Sequence, residues 1–379
     1  MSASRSTHDA KQSSVKRPKD IVIAVMGATG TGKSTFINLV SGASLGVGSG
    51  LKSCTSEVGY SHAFEFAGRR IILIDTPGFD DTTKSDTDIL KMIALHLSST
   101  YEAGVKLSGV IYMHRISDIR VGGVNRRNFS MFRKLCGEET LRNVLLVTNM
   151  WGAVDPAIGE KREQELMTDD LLFKPVLDKG AKIVRHDNTI ESAQSILNHL
   201  IRNHPEALRI QKELVDEKKD ISETGAGEEL ARELAAVMKK HKEDLVAVQK
   251  EMAEALAAKD DETRAELEEV RKELVANMEK VEQDRDRLSR EYADEKKKAD
   301  EEMRKIKDQL AEEARERARR QEELQKLQRE FAESSLKTQA EQEELKQRIK
   351  HLQDNPPRRR RGFFGFVGDA LESLVRLEF

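Results

Sequence analysis

Hydrophobic and polar positions follow one pattern before about residue 205 and another after it. In the first part, aliphatic runs such as Ile21 to Met26 and Val144 to Val147 alternate with stretches of helical spacing. Strands that alternate with helices predict an α/β domain built on a doubly wound, mostly parallel sheet. From Glu228 to Gln353 the apolar residues recur every three or four positions, and this stretch contains neither Pro nor Gly. The second pattern predicts a long helix behind the α/β domain.

The long helix has the spacing of a coiled coil, which begins at Leu230, Leu234 and Val237. Unbroken, it would extend on the order of 190 Å at 1.5 Å per residue. Polar interruptions such as Arg285 keep a second interpretation open, a single solvated helix held by Glu–Lys pairs four residues apart. We expect an interrupted coiled coil in a parallel homodimer.

The nine residues from Gly27 to Thr35 join the first predicted strand to a predicted helix. They match the spacing G-x-x-x-x-G-K-[ST] of a phosphate-binding loop, in which glycines turn backbone N–H groups towards phosphate oxygens. The lysine of this pattern neutralises β- and γ-phosphate charge, and the hydroxyl after it binds Mg²⁺. We assign catalysis to Lys33, a metal ligand to Ser34, and nucleotide binding to Gly27, Thr29, Gly30, Thr31, Gly32, Lys33, Ser34 and Thr35.

A second motif follows the apolar strand from Arg70 to Ile74. Asp75-Thr76-Pro77-Gly78 stands at the carboxyl end of this strand, about forty residues after the phosphate-binding loop. A carboxylate at this place meets Mg²⁺, usually through water, and the glycine N–H contacts a γ-phosphate. The motif predicts a GTPase-type switch, with Asp75 as a metal ligand and Gly78 as a nucleotide ligand.

Composition narrows the functions of the chain. Basic and acidic residues nearly balance, 64 against 67, so there is no overall field that would attract nucleic acid. The two cysteines, Cys54 and Cys136, lack metal-binding spacing and indicate a reducing, cytoplasmic environment. No run reaches the ~18 to 20 apolar residues of a transmembrane helix. We therefore expect a cytoplasmic protein without a nucleic-acid partner.

These patterns divide the chain into five parts. They are a disordered leader (1–20), the α/β domain (21–204), a helical junction (205–227), the coiled coil (228–353) and a tail (354–379). In the tail, Arg358 to Arg361 precede a group of phenylalanines, which predicts a peripheral membrane contact. Packing onto the α/β domain and a nuclear-import signal are the alternatives for the tail.

Four stretches carry a family resemblance: the phosphate-binding loop, Ser53-Cys54-Thr55, Asp75 to Gly78, and the block from Val110 to Trp151. They resemble the GIMAP-type, septin-related P-loop GTPases of the TRAFAC class, and most of all the fungal G-domain proteins with coiled-coil tails. The resemblance covers Ile21 to Asn203. It implies GTP or GDP with Mg²⁺ as ligands, a homodimer of G domains, and Thr55 as a switch-I threonine that contacts Mg²⁺ and takes part in catalysis.

One departure from this family concerns hydrolysis. Efficient GTPases carry a water-orienting Gln after the switch-II glycine, but the residue here is Phe79. An apolar side chain cannot orient water, so we expect slow hydrolysis that depends on a group donated across the dimer. The resemblance makes Arg115 the candidate, with Arg120 behind it, and an ordinary surface arginine is the alternative.

The second departure concerns the base. Guanine is normally selected by the carboxylate of an [NT]-K-x-D motif, and Thr148-Asn149-Met150-Trp151 has Trp in that place. Asp155 could replace the carboxylate, Trp151 could stack on the purine, and Asn188 could reach the base edge. Core or dimer packing is the other interpretation of Trp151. Two hypotheses remain: a slow, dimerisation-dependent GTPase that acts as an assembly switch, and a coiled-coil scaffold that binds nucleotide with negligible hydrolysis.

Overall fold

The computed structural model describes residues 20–45, 58–79, 84–118, 123–258, 261–333, 344 and 346–350. In this part of the chain the strands are β1 (Ile21–Gly27), β2 (Gly59–Tyr60), β3 (Phe64–Phe66), β4 (Arg69–Asp75), β5 (Gly109–Arg115), β6 (Val144–Asn149) and β7 (Lys182–Arg185). The α-helices are α1 (Lys33–Ser41), α2 (Asp86–Glu102), α3 (Gly123–Cys136), α4 (Pro156–Thr168), α5 (Lys174–Leu177), α6 (Ile190–Leu200), α7 (Arg209–Gln211), α8 (Gly225–Ala258) and α9 (Asp261–Glu333).

The strands form one sheet in the order β2, β4, β1, β5, β6, β7, and β3 also pairs with β4. β1, β4, β5, β6 and β7 are parallel, whereas β2 and β3 run antiparallel to β4. Every residue of β1 is buried, as in a strand covered by helices on both faces. The predicted doubly wound, mostly parallel sheet is confirmed. Four neighbouring strands end at one edge of it, at Gly27, Asp75, Arg115 and Asn149.

Within the described residues, the region predicted as an interrupted coiled coil contains two helices. α8 ends at Ala258, α9 begins at Asp261, and the two helices pack against each other. They run antiparallel, because Ser289, well inside α9, donates a hydrogen bond to Asp220, which lies just before the start of α8 (2.6 Å). The apolar spacing is thus used within one chain, by a helical hairpin formed from α8 and α9. The sequence spacing defines helices but does not say which surface they cover.

The helical hairpin packs on the α/β domain. Glu229 of α8 accepts a hydrogen bond from Ser130 of α3 (2.5 Å), and Lys91 of α2 pairs with Glu291 of α9 (2.7 Å). The hairpin therefore covers α2 and α3 instead of standing away from the sheet as a separate rod.

Within the described residues, no helix combines the length and the hydrophobicity needed to cross a bilayer. The predicted tail, most of the leader, Thr55 and Arg120 lie outside the residues that the structure describes. The coiled-coil dimer, the membrane contact and the domain boundaries stay predictions.

Candidate functional site

The phosphate-binding loop lies between β1 and α1, at the carboxyl edge of the sheet. Gly27 and Gly32 have positive φ angles of 138° and 84°. A Cβ at Gly27 would lie 2.3 Å from the Met113 carbonyl oxygen of β5, so only glycine allows this approach of the two strands. Gly32 immediately precedes α1, and the first N–H groups of that helix add a partial positive charge that favours phosphate.

Lys33 lies inside the loop. Its side chain is buried, and Nζ donates to the carbonyl oxygens of Gly27 and Ala28, each at 3.0 Å. Thr31 is also buried, and its hydroxyl donates to the Ala28 carbonyl oxygen at 2.9 Å. These bonds fix a positive charge at the centre of the predicted phosphate site. Thr35, by contrast, is exposed in the first turn of α1.

Ser34 and Asp75 meet at the end of β4. The register of β1 and β4 pairs Asp75 with Val25, and the Ser34 hydroxyl donates to Asp75 Oδ2 at 2.5 Å. Asp75 is 2% exposed, and its Oδ1 atom has no hydrogen-bond partner among the described residues. Burial raises the pKa of this carboxyl group, while the Ser34 bond and the charge of Lys33 oppose the shift.

The pair of Ser34 and Asp75 fits a Mg²⁺ ion. Mg²⁺ prefers oxygen ligands, and here a hydroxyl lies beside a buried carboxylate oxygen that has no partner in the described chain. When bound, the ion would be held by Ser34 and Asp75 and would neutralise phosphate charge. The described residues contain no group of three or more His, Cys, Asp or Glu side chains that could hold a metal by themselves.

The switch-II residues close directly against the loop. Thr29 N donates to the Phe79 carbonyl oxygen (3.0 Å), and a Cβ at Gly78 would lie 2.5 Å from Thr29 N. Only glycine fits at this distance. The Phe79 side chain is fully buried, in a hydrophobic cluster that includes residues of α2 and β5. The position after the switch-II glycine thus offers no polar group to a water molecule.

Arg115 ends β5 and reaches the loop of its own chain. A Cβ at Gly30 would lie 3.1 Å from Arg115 Nη1, so the guanidinium covers this glycine. Arg115 Nε lies 3.0 Å from Asp118 Oδ1, in an ion pair without the alignment of a hydrogen bond. The Arg115 side chain is 35% exposed. The structure therefore brings Arg115 to the phosphate end of the site and leaves part of it open to solvent.

Asn149 was not among the predicted site residues, yet it contacts the loop. It ends β6, is 1% exposed, and its Nδ2 donates to the Thr31 carbonyl oxygen at 3.3 Å. A Cβ at Gly32 would lie 2.8 Å from the same nitrogen. The sequence feature that indicates a site role for Asn149 is its position, because it is a polar residue at the carboxyl end of a buried strand.

The contact of Asn149 with the loop offers a second starting position for the guanine-binding motif [NT]-K-x-D. Counted from Thr148, the [NT]-K-x-D spacing places the carboxylate position at Trp151, and counted from Asn149 it places this position at Gly152. Neither residue carries a carboxylate. Recognition of guanine by this motif is missing in both registers.

Trp151 is half-buried and packs against residues of its own chain. Its Nε1 donates to the carbonyl and hydroxyl oxygens of Thr148, both at 3.2 Å. The Arg185 guanidinium lies 4.1 Å from the ring centroid, and a Cβ at Gly159 would lie 2.8 Å from the indole. Glu163 in turn binds Arg185 through both carboxylate oxygens. These contacts favour the packing interpretation of Trp151 over stacking on a purine.

Asp155 and Asn188, the other predicted base contacts, differ from each other. Asp155 caps α4, since its Oδ1 accepts from the backbone N–H groups of Ala157 (2.9 Å) and Ile158 (3.4 Å). Asn188 is exposed in the loop after β7, with a φ angle of 64°. Asn188 is therefore the better candidate for contacting a base edge.

The family model of the 50S ribosome-binding GTPase matches residues 22–149, roughly a third of the chain. The match runs from β1 to the end of β6 and contains the phosphate-binding loop and the switch-II motif. Together with the geometry of the loop, it identifies this part of the chain as the G domain of a P-loop GTPase, a GTP-binding domain. No curated protein sequence matches the chain. The finer resemblance to GIMAP-type and septin-related GTPases stays a prediction.

Several solved structures are similar to part of the chain. Toc33 from Arabidopsis thaliana in complex with GDP and Mg²⁺ is 18% identical, with a TM-score of 0.38, over 45% of this chain and 71% of that chain. A structure of the chloroplast translocon components atToc33 and psToc159 is 16% identical, with a TM-score of 0.41, over 50% of this chain and 86% of that chain. Era bound to MgGDPNP and 16S ribosomal RNA nucleotides is 20% identical, with a TM-score of 0.37, over 50% of this chain and 60% of that chain. At these values the likeness carries no argument about the function of this chain.

Proposed function

We propose that the protein is a GTP-binding switch that hydrolyses GTP slowly and depends on homodimerisation of its G domain. The observation that carries this proposal is the group of Lys33, Ser34 and Asp75, in which a buried ammonium lies beside a hydroxyl and a carboxylate that meet at 2.5 Å. These groups match a Mg²⁺-nucleotide, because the ammonium would neutralise phosphate charge and the two oxygens would hold the metal.

Slow hydrolysis is supported by the burial of Phe79, which is 0% exposed. Without a polar side chain to orient water, other charges must lower the barrier to GTP hydrolysis. An arginine finger increases the rate of hydrolysis by ~10³ to 10⁵. Arg115 is the residue proposed for this role. Its place beside Gly30 and its partial exposure suit action on its own nucleotide and on that of a facing G domain.

The remaining parts of the proposal concern assembly. Two G domains would face each other at their nucleotide sites, and the helices after residue 228 would add contacts between the two copies. The tail would touch a membrane from the cytoplasmic side. The bound nucleotide would then set the state of the assembly.

Phosphate release per subunit, measured with Mg²⁺ and GTP over a series of protein concentrations, tests the proposal. We expect the rate per subunit to rise with protein concentration, and Arg115→Ala to remove this rise. The matched control is Arg142→Ala, an arginine that pairs with Glu206 at the opposite edge of the sheet and is 66% exposed. A rate that does not depend on concentration contradicts the role of the dimer.

A scaffold that binds GTP without measurable hydrolysis is the second candidate, and the buried Phe79 favours it. Tight binding of GTP without phosphate release at any protein concentration would decide for the scaffold. Failure to bind any nucleoside triphosphate would overturn both candidates.

A further inference from the structure

The helix that follows switch II is held by the helical hairpin. α2 begins eight residues after Gly78, and α9 runs beside it in the same direction. Near the start of α2, Asp88 lies 3.9 Å from Arg287, and at its end Glu102 pairs with Lys296 at 2.5 Å. The contact between α2 and α9 therefore extends over nearly the whole length of α2.

Lys91 is the buried cation of this contact. Its side chain is 7% exposed, and Nζ lies 2.7 Å from Glu291, 3.1 Å from Glu295 and 3.5 Å from Asp88. Burial alone would lower the pKa of Lys91, but the bonds to the two glutamates of α9 outweigh it and the pKa is raised. A buried charge that loses its partner is strongly destabilising. Lys91 is therefore tied to α9 by electrostatics.

One hydrophobic cluster contains residues of both helices and of switch II. Leu288 and Tyr292 of α9 are buried in one hydrophobic cluster with Ile89 of α2 and with Phe79. The Tyr292 hydroxyl also lies 3.3 Å from Ser98 Oγ of α2. Movement of Phe79 therefore requires repacking of a cluster to which the hairpin contributes.

We propose that Lys91 is a positioning residue for switch II, which it holds in place by fixing α2 to Glu291 and Glu295 of the hairpin. A γ-phosphate attracts the Gly78 N–H, whereas in the docked state Gly78 is packed against Thr29. Docking of the hairpin thus favours GDP over GTP. Because such coupling is reciprocal, GTP loosens the hairpin by the same factor. This inference rests on the proposed GTP switch.

Affinities for GDP and for a non-hydrolysable GTP analogue, measured with Mg²⁺ on the full chain, test the coupling. In the variant Glu291→Gln/Glu295→Gln we expect the preference for the GTP analogue over GDP to increase about 5-fold, at the lower end of typical allosteric coupling. The matched control is Glu301→Gln/Glu302→Gln, which changes two exposed glutamates further along α9 and should leave the ratio unchanged. An unchanged ratio in the first variant overturns the proposal.

A purely structural role of Lys91 would lower stability without changing the affinity ratio. Lys91→Met removes the charge and should shift the ratio as the double variant does, whereas Lys91→Arg keeps the charge and should restore the normal value. Urea unfolding reports the stability of each variant separately. If these variants do not fold, the partly exposed pair of Glu102 and Lys296 replaces them. Lys296→Glu should then shift the ratio, and Glu102→Lys/Lys296→Glu should restore it; no shift overturns the proposal.

Hydrogen–deuterium exchange separates this inference from the proposed function. On replacing GDP with the GTP analogue, we expect changed exchange in residues 75–79 and faster exchange in residues 284–300. A change in 75–79 without one in 284–300 overturns the role of Lys91 but leaves the GTP switch intact. No change in either segment contradicts the proposed function as well.

Discussion

The two ends of the nucleotide site are built differently. At the phosphate end, Lys33 and Asp75 are buried beside the loop, and Asp75 Oδ1 is left without a partner among the described residues. At the base end, Trp151 uses its N–H group on Thr148, and Asp155 uses its carboxylate on the first turn of α4. The first set leaves one carboxylate oxygen for a ligand, whereas the second set satisfies its polar atoms within the protein.

Because of this difference, nucleotide affinity and base selectivity depend on different residues. The contacts of the phosphate end act on groups that GTP and ATP share, so they add affinity without distinguishing the bases. Discrimination must come from residues such as Asn188, which is exposed after β7. Variants that alter only one end of the site test this difference.

The largest effect is expected from Lys33→Ala at the phosphate end. Charge-assisted hydrogen bonds are worth ~1.5 to 3 kcal/mol each, so the affinities for GTP and ATP should both fall about 100-fold. Calorimetric titration with each Mg²⁺-nucleotide measures this loss. Lys106→Ala, an exposed lysine before β5, is the control and should bind normally. If Lys33→Ala bound GTP and ATP as tightly as the unaltered chain, the assignment of the phosphate-binding loop would be wrong.

The phosphate end could be predicted from the sequence because its residues are neighbours in the chain. Gly27 to Ser34 form one continuous motif, and Asp75 follows a strand that its apolar run makes evident. The role of Trp151 could not be predicted in this way. Its partners, Gly159 and Arg185, belong to α4 and β7, and only the folded sheet brings them to the indole.

The helical hairpin shows a second limit of the sequence. Strands alternating with helices leave few possible topologies, and the sheet follows from them. Apolar positions at three- and four-residue spacing fit a homodimeric coiled coil and an antiparallel hairpin equally well. Contacts such as Lys91 with Glu291, which lie 200 positions apart in the chain, place α9 on α2 and leave no local pattern in the sequence.

An intermediate effect is expected from Asp75→Asn, which tests how far the phosphate end depends on metal. In this variant, the increase in GTP affinity that Mg²⁺ causes should be smaller by about 10-fold or more, because an amide is a weaker ligand than a carboxylate. In the unaltered chain, the contribution of Mg²⁺ should be lost as pH falls through the pKa of Asp75, which burial raises above its ordinary range.

Protonation of Asp75 has the opposite effect on the stability of the metal-free protein. A raised pKa in the folded state stabilises the metal-free protein at low pH, and this stabilisation is lost as pH rises through that pKa. Metal-free Asp75→Asn should therefore be more stable than the unaltered chain at neutral pH. GTP titrations with and without Mg²⁺ over a pH series, and urea unfolding, measure both effects, with exposed Asp178→Asn as the control. Full Mg²⁺ dependence in Asp75→Asn would place the metal ligand elsewhere.

The smallest effect is expected from Asp155→Ala at the base end. Because Asp155 Oδ1 already accepts from Ala157 and Ile158, its loss should cost ~1 kcal/mol of unfolding free energy, as for other helix caps, and leave the GTP-to-ATP affinity ratio unchanged. Asp155→Ser can still cap α4 and should recover most of the stability. If Asp155 instead served as the guanine carboxylate, the ratio would fall tenfold or more in both variants, and the base end would then resemble the phosphate end in presenting its charge to the ligand.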